Sequence, residues 1–143
     1  EAEYEGRPPI FPVGCAGLIA SVEELPDGRF NIVLRGLTKF RVTGEDQSRS
    51  YRLAHVEAIR EELTATERVA LGDLEEDLSA LLPSTLPGLQ IPAGVPDEEL
   101  VNGVAQIINI DPLDRLGLLE QPGPLARARA LIDLLYIRSV LPR

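Results

Sequence analysis

The residues of this chain that are capable of nucleophilic or acid–base chemistry are few and widely spaced. Cys15 is the only cysteine, His55 the only histidine and Lys39 the only lysine among 143 residues. A cysteine or serine peptidase needs a nucleophile, a base and a group that orients the base. Cys15 lies in "PVGCAGLIA", among small and apolar residues that are typical of an unreactive core thiol, and we expect it to be a core side chain. A peptidase that uses Cys15 or a serine is therefore the less favoured interpretation.

The same inventory argues against metal and nucleotide chemistry. One histidine and one cysteine are too few for a zinc site. Lys39 lies in a strand pattern without the glycine-rich approach of a phosphate-binding loop. The acidic groups Glu23-Glu24, Glu61-Glu62 and Glu75-Glu76-Asp77 lack EF-hand spacing and are typical of a solvated face. We expect no cofactor, no metal and no catalytic residue in this chain.

Strand patterns occupy the chain up to about residue 60. Asp27-Gly28 predicts a two-residue hairpin turn that follows the strand "AGLIASVEEL". After the turn Phe30, Ile32 and Leu34 share one parity, as in a half-buried strand. Gly36 interrupts this alternation and predicts a bulge, before "LTKFRV" and then "YRLAHVEAI" continue the strand signal. The first subdomain is therefore predicted to be β-rich and to cover residues 1–62.

Helical patterns occupy the remainder, residues 63–143. Thr64 and Glu67 have the spacing of a capping box, and Pro83 is expected to end the helix that they start. Residues 83–96 form a long connection rich in proline and glycine. Further helices are predicted from the neighbourhood of Asp97, after Asp111-Pro112 and after Gly123-Pro124. The apolar positions expected to pack inward are Ala70, Leu74, Leu78, Leu81, Leu82, Leu100, Val104, Ile107, Ile108, Leu125, Ala128, Leu131, Ile132 and Leu135.

The charge and composition restrict the possible partners. The formal charge is −9, of which residues 61–143 contribute −8. Such a balance disfavours nucleic acids and anionic membranes, and an aromatic content of 4% disfavours base stacking. A single cysteine favours a reducing, cytoplasmic compartment, and no apolar run has the length of a bilayer span. We expect neither a nucleic acid nor a membrane as the partner.

Two segments are candidate interaction surfaces. The first is a basic strip in the hairpin without an intervening acid, formed by Arg29, Arg35, Lys39 and Arg41. The strip either is an ordinary solvated sheet face or binds a partner. The second is the set of apolar residues in the proline-rich connection, Leu86, Leu89 and Ile91. If these three side chains are exposed they form a docking surface, and if they are covered they form a lid.

The strand region, read in order, resembles the LON substrate-binding domain of Lon-type ATP-dependent proteases. The family pattern is a strand "VG-x-x-a-x-I" followed by "LPDG-x-x-x-v-x-v-x-G-x-x-R-x-x-v". The matching places in this chain are occupied by Val13-Gly14, Ile19, the Leu-Pro-Asp-Gly sequence at residues 25–28, Gly36 and Arg41. The resemblance extends over nearly the whole chain, although the helical part matches mostly by order and spacing.

The resemblance implies an α+β fold, with a β-rich PUA-like pseudobarrel followed by a C-terminal helical bundle. It also implies a bacterial, non-catalytic module that recognises unfolded or degron-bearing polypeptides and that has a role in assembly in full proteases, so a homo-oligomer is a further expected partner. The ATPase and peptidase residues of the family belong to other domains. Family members usually begin with earlier strands, and this chain starts after them, so we expect an incomplete pseudobarrel with unpaired edges and suspect truncation. An RNA-binding module of the PUA-like kind is the alternative.

Overall fold

The computed structural model describes residues 8–140, which fall into two compact units that divide after Arg60. The first, here called the sheet unit, contains β1 (Val13–Glu24), β2 (Phe30–Asp46) and β3 (Leu53–Ile59). The second, here called the helical unit, contains α1 (Ala65–Thr85), α2 (Asp97–Ile107), α3 (Pro112–Glu120) and α4 (Pro124–Val140). This content confirms the predicted α+β class. The PUA-like pseudobarrel, the bundle and the subdomain limits 1–62 and 63–143 stay predictions.

β2 is the central strand of an antiparallel sheet with the order β1-β2-β3. β1 pairs with β2 from Phe30 to Arg41, whereas β3 pairs with it only from Lys39 to Asp46. The outer part of the hairpin, residues 18–24 and 30–37, is therefore two-stranded within the described chain. We call this part the hairpin arm.

The turn of the hairpin is longer than the predicted two-residue turn. Leu25 donates its N–H to the carbonyl of Arg29 at 2.8 Å, and Gly28 donates to Leu25 at 3.0 Å. Pro26, Asp27 and Gly28 therefore form a three-residue connection, in which Gly28 has a φ of 82°. A glycine in the left-handed region is what this class of hairpin requires. The prediction of two residues was wrong because Pro26 belongs to the turn and not to the strand.

The bulge predicted at Gly36 is confirmed. Gly36 pairs with Gly17 and Thr38 pairs with Ala16, so Leu37 is the extra residue. A second glycine is used for packing, since a Cβ built on Gly14 would lie 2.6 Å from Cζ of Phe40. The ring of Phe40 occupies the place that a side chain at this position would need.

The helix starts follow the predicted sequence signals. Thr64 accepts a hydrogen bond from the N–H of Glu67 at 3.2 Å, and Glu67 accepts one from the N–H of Thr64 at 2.9 Å. This capping box holds the first turn of α1 and lowers the pKa of Glu67, mainly through the hydroxyl of Thr64 and then through its N–H. Asp111 accepts from the N–H of Leu113 at 2.9 Å and so caps α3. No helix between residues 8 and 140 has the length and apolarity needed to cross a membrane.

Pro83 does not end α1, contrary to the prediction. The helix continues to Thr85 with Pro83 inside it. The hydroxyls of Ser84 and Thr85 each donate to the carbonyl of Leu81 at 2.9 Å. Leu86 donates its N–H to Leu82 at 2.7 Å. These bonds supply donors to the carbonyls of Leu81 and Leu82 and stabilise the turn in which proline removes one donor.

The helical unit has an aliphatic core. Its buried side chains come from all four helices and from the link between α2 and α3, and they are Leu71, Leu78, Leu82, Leu100, Val101, Val104, Ile108, Ile110, Leu118, Ala128, Leu131 and Leu135. Most of the predicted inward positions are buried or pack against this set. The exceptions are Ala70, which is half-buried outside this set, and Ile107, which is 52% exposed. α2 ends at Ile107 and Ile108 is extended, so the helical periodicity no longer applies to the pair.

A buried cation joins the elements around this core. Arg127 of α4 is 5% exposed. Its Nε donates to the carbonyl of Leu118 at 3.1 Å, its Nη1 to Oδ1 of Asn102 at 2.8 Å and its Nη2 to Oε1 of Glu61 at 2.5 Å. The guanidinium thus connects α4 to α3, to α2 and to the segment before α1.

We expect the Arg127→Met variant to lose about 3–5 kcal/mol of unfolding free energy, because Glu61 loses its ion-pair partner inside the unit. Urea denaturation followed by circular dichroism measures the loss. Arg129→Met is the matched control, since Arg129 lies on the same helix and is exposed. Its effect should stay within about 0.5 kcal/mol. Equal losses for the two variants would show that the Arg127 contacts contribute nothing particular.

We also expect the capping box to make the stability of the helical unit pH-dependent. The folded pKa of Glu67 lies below the ordinary value of 4.5. Its contribution is therefore present at neutral pH and is lost as the pH falls through the folded pKa. The Glu67→Gln variant keeps a capping-box side chain but does not titrate. The advantage of the wild type over this variant should shrink between pH 6 and about pH 3, and a constant difference across that range contradicts the assignment.

Candidate functional site

The structure does not bring the potential catalytic residues together. Cys15 is paired with Lys39 across β1 and β2, whereas His55 lies on β3 opposite Gly44. β2 lies between the strand that contains the thiol and the strand that contains the imidazole. Along the strand direction the two residues are a further ~13 Å apart, because their partners on β2 are Lys39 and Gly44. Cys15 is exposed, so the prediction of a core side chain was wrong. Its neighbours in sequence point to the opposite face of the strand and do not enclose it.

Two of the paired acidic groups contain a residue with a structural partner. Glu61 forms the ion pair with Arg127, and Glu23 accepts a hydrogen bond from Nδ2 of Asn31 at 3.2 Å. Between residues 8 and 140 no three His, Cys, Asp or Glu residues are placed so that they could hold a metal ion.

The four residues of the basic strip are not on one surface. Arg29 forms an ion pair with Asp27 at 2.7 Å, and its guanidinium, followed by its N–H, lowers the pKa of that carboxyl. Lys39 is 8% exposed. Arg35 is opposite Leu18 on β1, whereas Lys39 and Arg41 are opposite Cys15 and Val13. Positions 18 and 15 of β1 point to opposite faces, so Arg35 is on one face of the sheet and the other two strand cations are on the other.

The hairpin arm presents an apolar face to solvent. Ile32 is paired with Val22, and Leu34 with Ile19. Together with Phe30 these residues form what we call the apolar stripe, and their exposed fractions run from 52% to 65%. The predicted alternation is confirmed, but the predicted half-burial is wrong. β3 is shorter than β2, so the arm extends beyond the three-stranded part of the sheet.

The other face of the arm is more polar. It includes the hydrogen-bonded pair Glu23 and Asn31, and Ser21 opposite Val33. A contiguous set of apolar side chains that are each more than half exposed is uncommon on monomeric proteins and usually marks an interaction site. The contrast between the two faces makes the apolar stripe the principal candidate surface of the sheet unit.

The helical unit has a second candidate surface, which contains the predicted residues Leu86, Leu89 and Ile91. They border a cavity of about 320 Å³ at the C-terminal end of α1. We call this cavity the α1 groove, and its complete lining is Ser79, Leu82, Pro83, Leu86, Pro87, Gly88, Leu89 and Ile91. Leu89 and Ile91 are 37% and 39% exposed. They are neither fully covered, as in a lid, nor fully solvated.

A tight turn brings two of these residues together. In the sequence Leu86-Pro87-Gly88-Leu89 the last residue donates its N–H to the carbonyl of the first at 3.1 Å. Gly88 has a φ of 85°. Proline at the second position and a left-handed glycine at the third are the signature of a type II turn. The turn places Leu86 and Leu89 at its two ends and so forms one wall of the α1 groove.

Sequence reasoning did not identify the apolar stripe as a surface. The alternation in "FNIVL" predicts which side chains share a face, but it does not show whether that face is covered or that Ile19 and Val22 extend it. The useful signal was the length of β2, which has 17 residues, against 7 in β3. For the α1 groove the useful signal was the Leu-Pro-Gly-Leu sequence within the connection.

Comparison with solved structures finds Lon N-terminal domains. The N-terminal domain of Mycobacterium avium complex Lon protease matches with a TM-score of 0.69 and 20% identity, over 92% of this chain and 73% of that one. A Lon N-terminal domain protein from Xanthomonas campestris matches with a TM-score of 0.56 and 19% identity, over 86% of this chain and 68% of that one. At these identities the likeness shows the fold. Comparison with curated protein sequences gave no match.

The family model of the ATP-dependent protease La (LON) substrate-binding domain matches residues 1–136. The match includes both units and the motif residues of the hairpin. The chain therefore belongs to the LON substrate-binding domain family.

Proposed function

We propose that this chain is a non-catalytic module that binds unfolded or degron-bearing polypeptides, and that the apolar stripe of the hairpin arm contacts them. The observation on which the proposal depends is the exposure of Ile19, Val22, Phe30, Ile32 and Leu34 on one face of the arm. Folded proteins bury side chains of this kind, and unfolded polypeptides expose them. Burial of one such side chain contributes about 1.5–3 kcal/mol when it is complete, so partial burial of five gives useful affinity.

The geometry of the arm suits an extended ligand. Beyond the part covered by β3, residues 30–37 of β2 have no strand partner on that side within the described chain. An extended polypeptide added at this edge would form main-chain hydrogen bonds that do not depend on its sequence. Its alternate side chains would then lie beside Phe30, Ile32 and Leu34. Main-chain pairing with apolar contacts is a general way to recognise unfolded segments.

The two alternatives have weaker support. RNA binding depended on the basic strip, and its cations are divided between two faces and include one buried lysine. Peptidase activity depended on Cys15, which is not near His55. The family description, a substrate-binding domain of an ATP-dependent protease, agrees with the proposal. The proposal also includes three further expectations. They are a PUA-like pseudobarrel as the complete fold, a bacterial cytoplasmic setting and participation in proteolysis.

We expect the Ile32→Asp variant to weaken binding of a permanently unfolded polypeptide about tenfold or more, because a carboxylate replaces an apolar contact. Fluorescence anisotropy with a labelled, reduced and carboxymethylated protein measures the dissociation constant. Val33→Asp is the matched control. Val33 is the next residue of the same strand, is 57% exposed and points to the other face. Its effect should stay below about threefold.

Sedimentation of the same variants tests the competing use of the stripe. If the wild type dimerises and Ile32→Asp is monomeric while neither binds the unfolded polypeptide, the stripe serves self-association and the proposal is wrong. Equal weakening by the two aspartate variants would also contradict it, since the faces would then not differ. RNA binding that is lost on charge reversal of Arg35 would favour the alternative.

A further inference from the structure

The α1 groove combines an apolar lining with hydrogen-bond acceptors. Pro83 has no N–H, so the carbonyl of Ser79, four residues earlier, lacks its helical donor. Ser79 lines the groove. The hydroxyls of Ser84 and Thr85 donate to the carbonyl of Leu81, two residues further on, and not to that of Ser79. Ser79 therefore borders the groove and has a carbonyl that lacks the N–H of its usual partner.

The electrostatic surroundings of the groove are negative. The groove lies at the C-terminal end of α1, where the helix dipole is negative, and the last turn contains no basic residue. Glu75 and Glu76 precede Ser79 by four and three residues, so they lie one turn before it on the same side of the helix. Both are exposed. From residue 69 to residue 114 the chain contains nine acidic residues and no lysine or arginine.

We propose that the α1 groove is a second, charge-selective site, which binds a polypeptide segment in which Lys or Arg is next to a bulky apolar residue. The inference rests on the proposed function, since it assumes that the chain binds polypeptides, but it uses a different surface. A cavity of about 320 Å³ is at the small end of ligand pockets and suits one or two side chains.

Each part of the groove has a role in this arrangement. The apolar side chain of the ligand packs against Leu86, Leu89 and Ile91. A backbone N–H or a cationic side chain of the ligand donates to the carbonyl of Ser79. The cation of the ligand lies near Glu75 and Glu76 and near the negative end of the helix. An acidic segment with the same apolar residues is repelled by all three negative features, so the site discriminates by charge.

The test uses the full chain and three labelled peptides with identical apolar residues. The positions between those residues are all Arg in the first peptide, all Gln in the second and all Glu in the third. We expect the affinity to fall in that order and the binding of the Arg peptide to weaken with salt. Equal affinity for the Arg and Glu peptides would overturn the inference.

Paired variants locate the site. The Glu75→Gln, Glu76→Gln double variant should weaken binding of the Arg peptide about three- to tenfold and leave the Gln peptide unchanged. The Asp73→Asn, Asp77→Asn double variant is the matched control. It makes the same change in charge on the same helix, but these positions lie about 120° and 160° around α1 from Ser79, against about 40° and 60° for Glu75 and Glu76, and should change binding much less. Ile91→Ser should weaken binding of both the Arg and the Gln peptide.

The Ile32→Asp variant separates this inference from the proposed function. If it loses the unfolded polypeptide but keeps the Arg peptide, both proposals hold. The wild type could also fail to bind the unfolded polypeptide and still bind the Arg peptide in a way that depends on Glu75 and Glu76. In that case the α1 groove is a binding site and the apolar stripe is not. If Ile32→Asp loses the Arg peptide and the groove variants keep it, the peptide binds the stripe and the groove inference is wrong.

Discussion

The helical unit depends on one buried cation. Removing a guanidinium from water is costly, and the cost is offset only because Glu61, Asn102 and Leu118 all supply acceptors to Arg127. Aliphatic cores can repack in several arrangements of similar energy. Three hydrogen bonds from a planar guanidinium can form in only a few arrangements of the helices. Arg127 therefore sets the position of α4 relative to α3 and α2. Since α1 packs mainly against α4, the same contacts fix the support on which the α1 groove is built.

A different constraint governs the sheet unit, namely that β3 is shorter than the strand with which it pairs. Where three strands are present, Lys39 is buried and Phe40 packs across Gly14, although Val56 of β3 is still 50% exposed. Where only two are present, every apolar side chain on both strands is exposed. A two-stranded hairpin gains little from its own contacts, so the arm has apolar surface that its own fold does not use. The same feature that makes the arm a weak structural element makes it suitable for contact with other polypeptides.

Local signals in the sequence predicted local structure well. The capping box of Thr64 and Glu67, the cap at Asp111 and the bulge at Gly36 depend on neighbours within a few residues, and the structure has all three. The failures involve residues whose environment is set from elsewhere. Alternation showed which side chains of β2 share a face but not whether anything covers that face. Arg127 lies beside the predicted inward position Ala128, and only partners 9 to 66 residues away make its burial possible.

The two surfaces differ in how they can select a ligand. The apolar stripe offers apolar side chains and, at residues 30–37, a strand edge with which no further strand of residues 8–140 pairs, so it favours any extended segment rich in apolar residues. The α1 groove adds an acceptor at Ser79, a negative helix end and two nearby carboxylates, so it favours segments that also contain a cation. An unfolded polypeptide long enough to reach both surfaces gains from each contact, because the second binding event becomes intramolecular. Weak individual contacts are then an advantage, since they allow a general binding module to release the segments that match only one surface.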